Sequence, residues 1–293
     1  MKQTLTSGRA LVNLILCVIS IAMIIPFLLV ISISLSDEQS LIEHGYKWLP
    51  EKFSTLGYQV MLRSSHAIVH AYGITILITV VGSLAGLLLT AMTAYTISRR
   101  DFRYRKPLTF YVFFTMLFQG GIVPMYILMT RYLHLRNSVW ALILPLLISP
   151  FYVMIMKGFL GKIPGEIIES VKVDGASEMR IFFQIILPLS KPALVTVGLM
   201  LSFGYWNDWF NGMLYIDDPN KVPLQLLLYR NMNAIEFLKS TAIAQQLNID
   251  VSKLPSLSSR MAMTILAAGP MMIVFPFFQR YFVGGLTVGA IKE

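Results

Sequence analysis

The chain has 293 residues, of which 56% are hydrophobic and only 13% charged, and its mean hydropathy is +0.66. Soluble domains carry roughly 25% charged residues, so this chain could not cover its own surface in water, and a cytosolic globular enzyme is excluded. The single cysteine, Cys17, excludes an intrachain disulfide and a cysteine-based metal site, and in a lipid-solvated chain the net charge of +9 informs through its placement rather than its sum.

Taken in order, six stretches without Asp, Glu, Lys or Arg mark candidate spans, because a helix needs about 20 apolar residues to cross ~30 Å of hydrocarbon. They predict spans over about 10–36, 71–98, 107–130, 137–156, 192–215 and 261–280, in one transmembrane domain covering 1–293. The first stretch runs 27 residues, too long for the core of a cleaved signal peptide, and no A-x-A site follows it. His66 and His70, one helical turn apart before the second span, lack a third ligand at metal spacing and read as interfacial polar residues, so no metal site is expected. After the second span come Arg99, Arg100, Arg103, Arg105 and Lys106, a cluster that resists translocation. With the N-terminus inside, inner segments hold 14 Lys or Arg and outer segments 10, which predicts both termini in the cytoplasm. Breakers such as Pro26, Gly120-Gly121, Pro145, Pro150 and Pro276 fall in or beside spans, where neighbouring helices tolerate them and bends can move.

The spans contain almost no titratable group. Asp208, near the end of the fifth, is the exception; the apolar pattern continues past it to Tyr215, so the helix is expected to run on. An ion-coupled carrier needs a coordinating or titratable side chain at membrane depth, and a membrane-embedded enzyme acting on lipid-linked sugars needs clustered acid, base or metal groups. Neither pattern is present, nor is a Walker motif, so the energy for moving a polar solute must come from a partner.

The stretch 157–191 is long and amphipathic. Pro164 suits the first turn of a helix, Glu166 and Glu169 lie near its N-terminus, and Asp174-Gly175 forms a stop. A second helix is predicted from about Ala176 to Leu187, ended by Pro188, with an apolar stripe of Ile181, Phe182, Ile185 and Ile186. Two short helices at a glycine bend suit docking to a partner.

These residues carry a resemblance. Glu169-Ser170-Val171, three residues, Gly175, nine residues, Ile185, one residue and Leu187-Pro188 is similar to the EAA loop of ABC importer permeases, E-A-A-x3-G-x9-I-x-L-P, with Ser170-Val171 standing where the family has Ala-Ala. The string "IPGEIIESVKVDGASEMRIFFQIILPLSKPAL", "YWNDWFN" at 205–211 and "YFVGGLTVGAIKE" at 281–293 resemble the carbohydrate-uptake branch, in particular the second, smaller permease of maltose-type importers and its alginate-type or pectin-type relatives.

The resemblance implies an all-α, six-span type I importer permease fold with a cytoplasmic coupling helix, in the cell inner (cytoplasmic) membrane. It implies a non-catalytic subunit that forms half of a path for oligosaccharides or polysaccharides, with a second permease, two ATP-binding subunits and an extracytoplasmic solute-binding protein as partners. ATP and Mg would be held by the ATPases, and no nucleic acid is involved. Glu169 would be the polar anchor in the ATPase cleft, with Ser170, Val171 and Asp174 beside it, Gly175 the bend, and Ile185, Leu187 and Pro188 the exit into the fifth span. The tail, with Gly284, Gly285, Gly289, Lys292 and Glu293, would enter the interface between the ATPases. Residues 208–260 would form a long outer loop of mixed charge facing the binding protein. Tyr205, Trp206, Asn207, Asp208 and Trp209 are candidates for the sugar path, since aromatic faces and amides bind sugars.

Overall fold

The computed structural model describes residues 2–62, 65–240 and 256–290. Among them the structure is helical, apart from one isolated bridge between Ser36 and Phe53. The chain divides into two compact units, 1–68 with 228–270, and 69–227 with 271–293.

The first unit opens with α1 (Lys2–Ser34), whose Gly8–Ser34 portion has a mean hydropathy of 3.2 and no part of its most apolar window buried inside the chain, as a helix facing lipid requires. A serine run ends it: Ser32 Oγ donates to the Lys47 carbonyl (2.8 Å), Ser36 Oγ to the Ser32 carbonyl (2.7 Å), and Tyr58 Oη to Ser34 Oγ (3.0 Å). Two short helices follow, α2 (Glu38–His44) and α3 (Leu56–Leu62).

The second unit is built on α4 (Ser65–Ser98), an apolar helix whose His66–Ser98 stretch has a mean hydropathy of 2.3 and is 44% buried over its most apolar window. Then come α5 (Arg105–Leu117), α6 (Ile122–Ile127) with a π-turn to Tyr132, α7 (Trp140–Ile143) with a 3-10 turn to Leu146, and α8 (Pro150–Leu160). Further on lie α9 (Gly165–Val173), α10 (Glu178–Ile181), α11 (Leu187–Leu189), α12 (Lys191–Trp206) and α13 (Phe210–Tyr215). The chain continues through α14 (Leu224–Ser240) and α15 (Leu257–Ala290). Ala91, Ala94 and Ile97 of α4 pack with Val153 and Met156 of α8 and Val197 and Leu201 of α12 to form the main core.

Several expectations need correction. The first, second and sixth stretches are continuous helices, but the third and fourth are bent pairs, 105–117 with 122–132 at 108° and 140–146 with 150–160 at 50°, and the fifth, 191–206, follows the elbow helix 178–189 at a bend of 85°. Six spans result when each pair counts as one. The fifth span stops at Trp206 instead of running to Tyr215, because the Asp208 carboxylate accepts the backbone N–H (3.1 Å) and side-chain amide (2.8 Å) of Asn211, a local alternative to helical bonding that restarts the chain as α13. Pro188 does not end its helix: a π-turn over Phe182–Ile186 carries the helix past the missing N–H to Leu189, and the bend falls at Ser190. The stretch 208–260 is not simply loop, since α13 and α14 occupy much of it; residues 241–255 lie outside the described residues. The last span continues to Ala290, taking in the backbone of Gly284, Gly285 and Gly289, while Lys292 and Glu293 lie outside the described residues.

Candidate coupling site

Helix α9 begins directly after Pro164, with Glu166 in its first turn where negative charge suits the exposed N–H groups. Its end is a Schellman motif: Gly175 N–H donates to the Lys172 carbonyl (2.9 Å) and Ala176 N–H to the Val171 carbonyl (3.3 Å). Gly175 has φ +78°, the left-handed region that a Cβ penalises. Val171 and Ala176 both pack against the main core, the apolar contact that usually accompanies this motif. Ser177 then caps α10, its hydroxyl accepting the Arg180 N–H (3.4 Å).

The two helices expose different things. Ile181, Phe182 and Ile186 are fully buried in the main core, so the stripe expected to face a partner is already used inside the chain. No residue of α9 is buried; Glu169, Ser170 and Asp174 are exposed, and Val173 is 87% exposed. Ser170 donates its hydroxyl to the Ile167 carbonyl (3.0 Å), while Val171 turns to the core. This division accommodates the departure from Ala-Ala at these positions. Leu187 also packs against the core, Ile185 is half-buried and Pro188 is exposed.

An ionic cluster that sequence reasoning missed ties this elbow to the end of α4. Lys172 Nζ lies 2.6 Å from Glu178 Oε1 and 3.0 Å from Asp101 Oδ2, thereby bridging across the Gly175 bend. Arg99 donates through Nε to Asp101 (2.9 Å) and through Nη1 to Tyr95 Oη (3.2 Å), and Tyr95 Oη donates to Glu178 Oε2 (2.9 Å). The Arg99 guanidinium, with help from Lys172, holds the Asp101 carboxyl well below its ordinary range. Partial burial opposes ionisation of Glu178, but bonds from Lys172 and Tyr95 outweigh it and lower its pKa; the same carboxylates raise that of Lys172. Tyr95, Arg99 and Asp101 are local to one another, but the convergence of that stretch with α9 and α10 had no signal in the sequence. A cleft of 390 Å³ beside the cluster is flanked by Arg99, Lys172 and Glu169.

The candidate sugar residues divide by burial. Tyr205 is 1% exposed, donates its hydroxyl to the Ile143 carbonyl (2.8 Å) and lies against Gly82 of α4; Trp206 is also buried, tilted against Tyr72. Asn207 and Trp209 are exposed and Asp208 is half-buried. Asn207 accepts from the Gln225 amide (3.3 Å), and Trp209 meets Phe210 edge-on. Polar groups and aromatic faces therefore gather just beyond the end of α12, while Tyr205 and Trp206 serve packing within the chain. His66 and His70 stand on α4, and among the described residues no group of three or more His, Cys, Asp or Glu could hold a metal ion.

Apolar helices of membrane-spanning length, with an exposed elbow between them, define a membrane protein. Residues 82–288 match the family of binding-protein-dependent transport system inner membrane components, and the chain belongs to that family. It is 37% identical over 269 residues to protein LplC of Bacillus subtilis (strain 168), covering 92% of this chain and 89% of the relative. It is 34% identical over 275 residues to the polygalacturonan/rhamnogalacturonan transport system permease protein YtcP of the same organism, covering 92% of each. Its fold is that of a chain in the crystal structure of a bacterial ABC transporter involved in the import of the acidic polysaccharide alginate, with a TM-score of 0.78, 24% identity, and coverage of 94% of this chain and 97% of that one. The chain is thus a multi-pass inner membrane component of a binding-protein-dependent transport system.

Proposed function

We propose that this chain is the smaller of two permeases in an ATP-driven importer of oligosaccharides or polysaccharides, with pectin-derived or alginate-like acidic sugars as the substrate class. The observation that carries the coupling role is α9, which bears Glu169 and is closed by the turn at Gly175, leaves its outer face uncovered, and is tied through Lys172 to Asp101, just beyond α4, and to Glu178 on α10. A short helix fixed at both ends can transmit the movement of a soluble subunit as a rigid-body rotation of the spans. Glu169 would anchor the ATPase contact, Gly175 set the elbow, and Leu187 and Pro188 lead to the hinge at Ser190. The names of similar permeases, among them the polygalacturonan/rhamnogalacturonan system, support the substrate class.

In this reading ATP and Mg are held by two partner ATPases and this subunit performs no catalysis. Both termini lie in the cytoplasm, as the Lys and Arg distribution favours, the tail reaches the interface between the ATPases, and a solute-binding protein delivers sugar at the face carrying Asn207 and Trp209. The test is a mild-detergent pull-down of the tagged chain with mass spectrometry, paired with uptake of labelled oligogalacturonate and oligoalginate in cells. A second permease and an ATPase should co-purify, with the ATPase lost in the Glu169→Ala/Gly175→Val double variant. Recovery of the folded chain alone, or uptake that continues on an ion gradient after ATP depletion, would overturn the reading.

A further inference from the structure

The 390 Å³ cleft between the residues that follow α4 and the start of α9 is lined by charges of both signs. Most of them are already engaged: Asp101 pairs with Arg99 and with Lys172, and Lys162 places its ammonium 5.6 Å from the centre of the Phe159 ring. Two are not. Arg100 after α4 and Glu169 on α9 are exposed, form no ion pair or side-chain hydrogen bond among the described residues, and do not close on each other. Leu160, Ile163 and Ile168 line the same cleft, and Gly161 and Gly165 place no side chain in it. An ionic contact made against such apolar walls is less screened than one on an open surface.

We infer that this cleft is a socket of two signs for the partner ATPase, in which Arg100 takes a carboxylate of the ATPase beside the basic group that meets Glu169. The socket rests on the reading of α9 as the ATPase contact, and adds to Glu169 a second residue of opposite charge on a different segment. A partner seated on the uncovered face of α9 at Glu169 reaches the cleft, because Glu169 belongs to both. One charge of each sign fixes orientation as well as attraction, since a partner turned around sets like charges against each other. The pairs that join Asp101 to Arg99 and Lys172 tie α9 to the end of α4, so the spacing of Arg100 and Glu169 is set before the partner arrives. A free phosphate would satisfy Arg100 but meet repulsion from Glu169, which favours a protein surface carrying both signs.

The test uses the full chain, purified in mild detergent with its native partner subunits. Arg100→Lys puts an amine in the cleft, and a carbodiimide, which joins an amine to a carboxylate as an amide with loss of water, should couple this position to an Asp or Glu of the ATPase; mass spectrometry of the digest identifies the pair. In a dilution series at low salt, Arg100→Glu should raise the concentration at which half of the ATPase dissociates by about tenfold, the lower end for close charge pairs at an interface, and by less at high salt. Arg103→Glu makes the same change of charge in the same segment outside the cleft and should shift that concentration far less, while size-exclusion profiles report whether each variant folds. Equal effects of Arg100→Glu and Arg103→Glu, with no cross-link from position 100, would overturn the socket while leaving the ATPase contact of α9 in place. If no ATPase accompanies the parent chain, the reading of α9 fails and the socket with it.

Discussion

Glu38 and Ser258 stand 220 positions apart in the chain, yet Glu38 Oε2 accepts both the backbone N–H (3.0 Å) and the hydroxyl (2.9 Å) of Ser258. The same carboxylate accepts from Leu257 N–H (2.9 Å) and Ser256 Oγ (2.9 Å), so a side chain on α2 provides the N-cap of the final span. A helix N-terminus presents unpaired donors and a partial positive charge, and a buried carboxylate answers both. Glu38 is 5% exposed.

Removing that cap should be costly. Glu38→Ala leaves several donors unpaired and should destabilise the purified protein by about 3 kcal/mol, with Glu38→Gln losing less; thermal unfolding in detergent checks both.

The same contact fixes a pH dependence. Burial opposes ionisation of Glu38, but the bonds from Leu257, Ser258 and Ser256 outweigh it and hold its pKa below the ordinary 4.5. Because the folded pKa is depressed, the stabilisation is fully present above 4.5 and is lost as pH falls through the lowered folded value. Thermal stability of the parent protein should therefore decline on acidification in that window, and this component should vanish in Glu38→Gln.

The cluster at Lys172 makes a different prediction. The side chains of Asp101 and Glu178 are more than half exposed, so each pair contributes only about 0.2–1 kcal/mol after screening, and Lys172→Met should leave the protein folded. What it should lose is stiffness at the elbow: ATP-driven uptake falls while ATPase activity of the complex continues. A charge exchange, Lys172→Glu with Glu178→Lys, should recover less than the parent, because Asp101 also pairs with Lys172.

At Gly175 the left-handed φ ranks the replacements. Asn should be tolerated best, Ala should cost about 1 kcal/mol and Val more, with uptake declining in that order.

In the candidate sugar region, burial separates the aromatic residues. Trp209→Ala should raise the KM for uptake with little change in stability, whereas Gly82→Ala, whose Cβ would stand 2.4 Å from the Tyr205 ring, should lower stability by several kcal/mol and reduce the amount of folded protein in membranes. Uptake kinetics and thermal unfolding on the same preparations distinguish the two effects.

Much of this molecule was legible from one dimension. The apolar segments, the elbow after Asp174 and the motif from Glu169 to Pro188 depend on composition, spacing and the conformational freedom of glycine, which are local properties, and lipid as solvent makes length alone a strong guide to spans. Where local signals compete, the reading failed: Asp208 diverts the backbone to Asn211 and ends the fifth span early, and the π-turn before Pro188 lets a helix pass a residue that ordinarily stops one. Only the tertiary structure decided that Ile181 and Phe182 face inward, that Tyr205 seats on Gly82, that Lys172 joins Asp101 to Glu178, and that Glu38 caps a helix more than two hundred residues away. Each is a pairing between distant segments, whose free energy depends on how the helices lie against one another and so leaves no periodicity for the sequence to display.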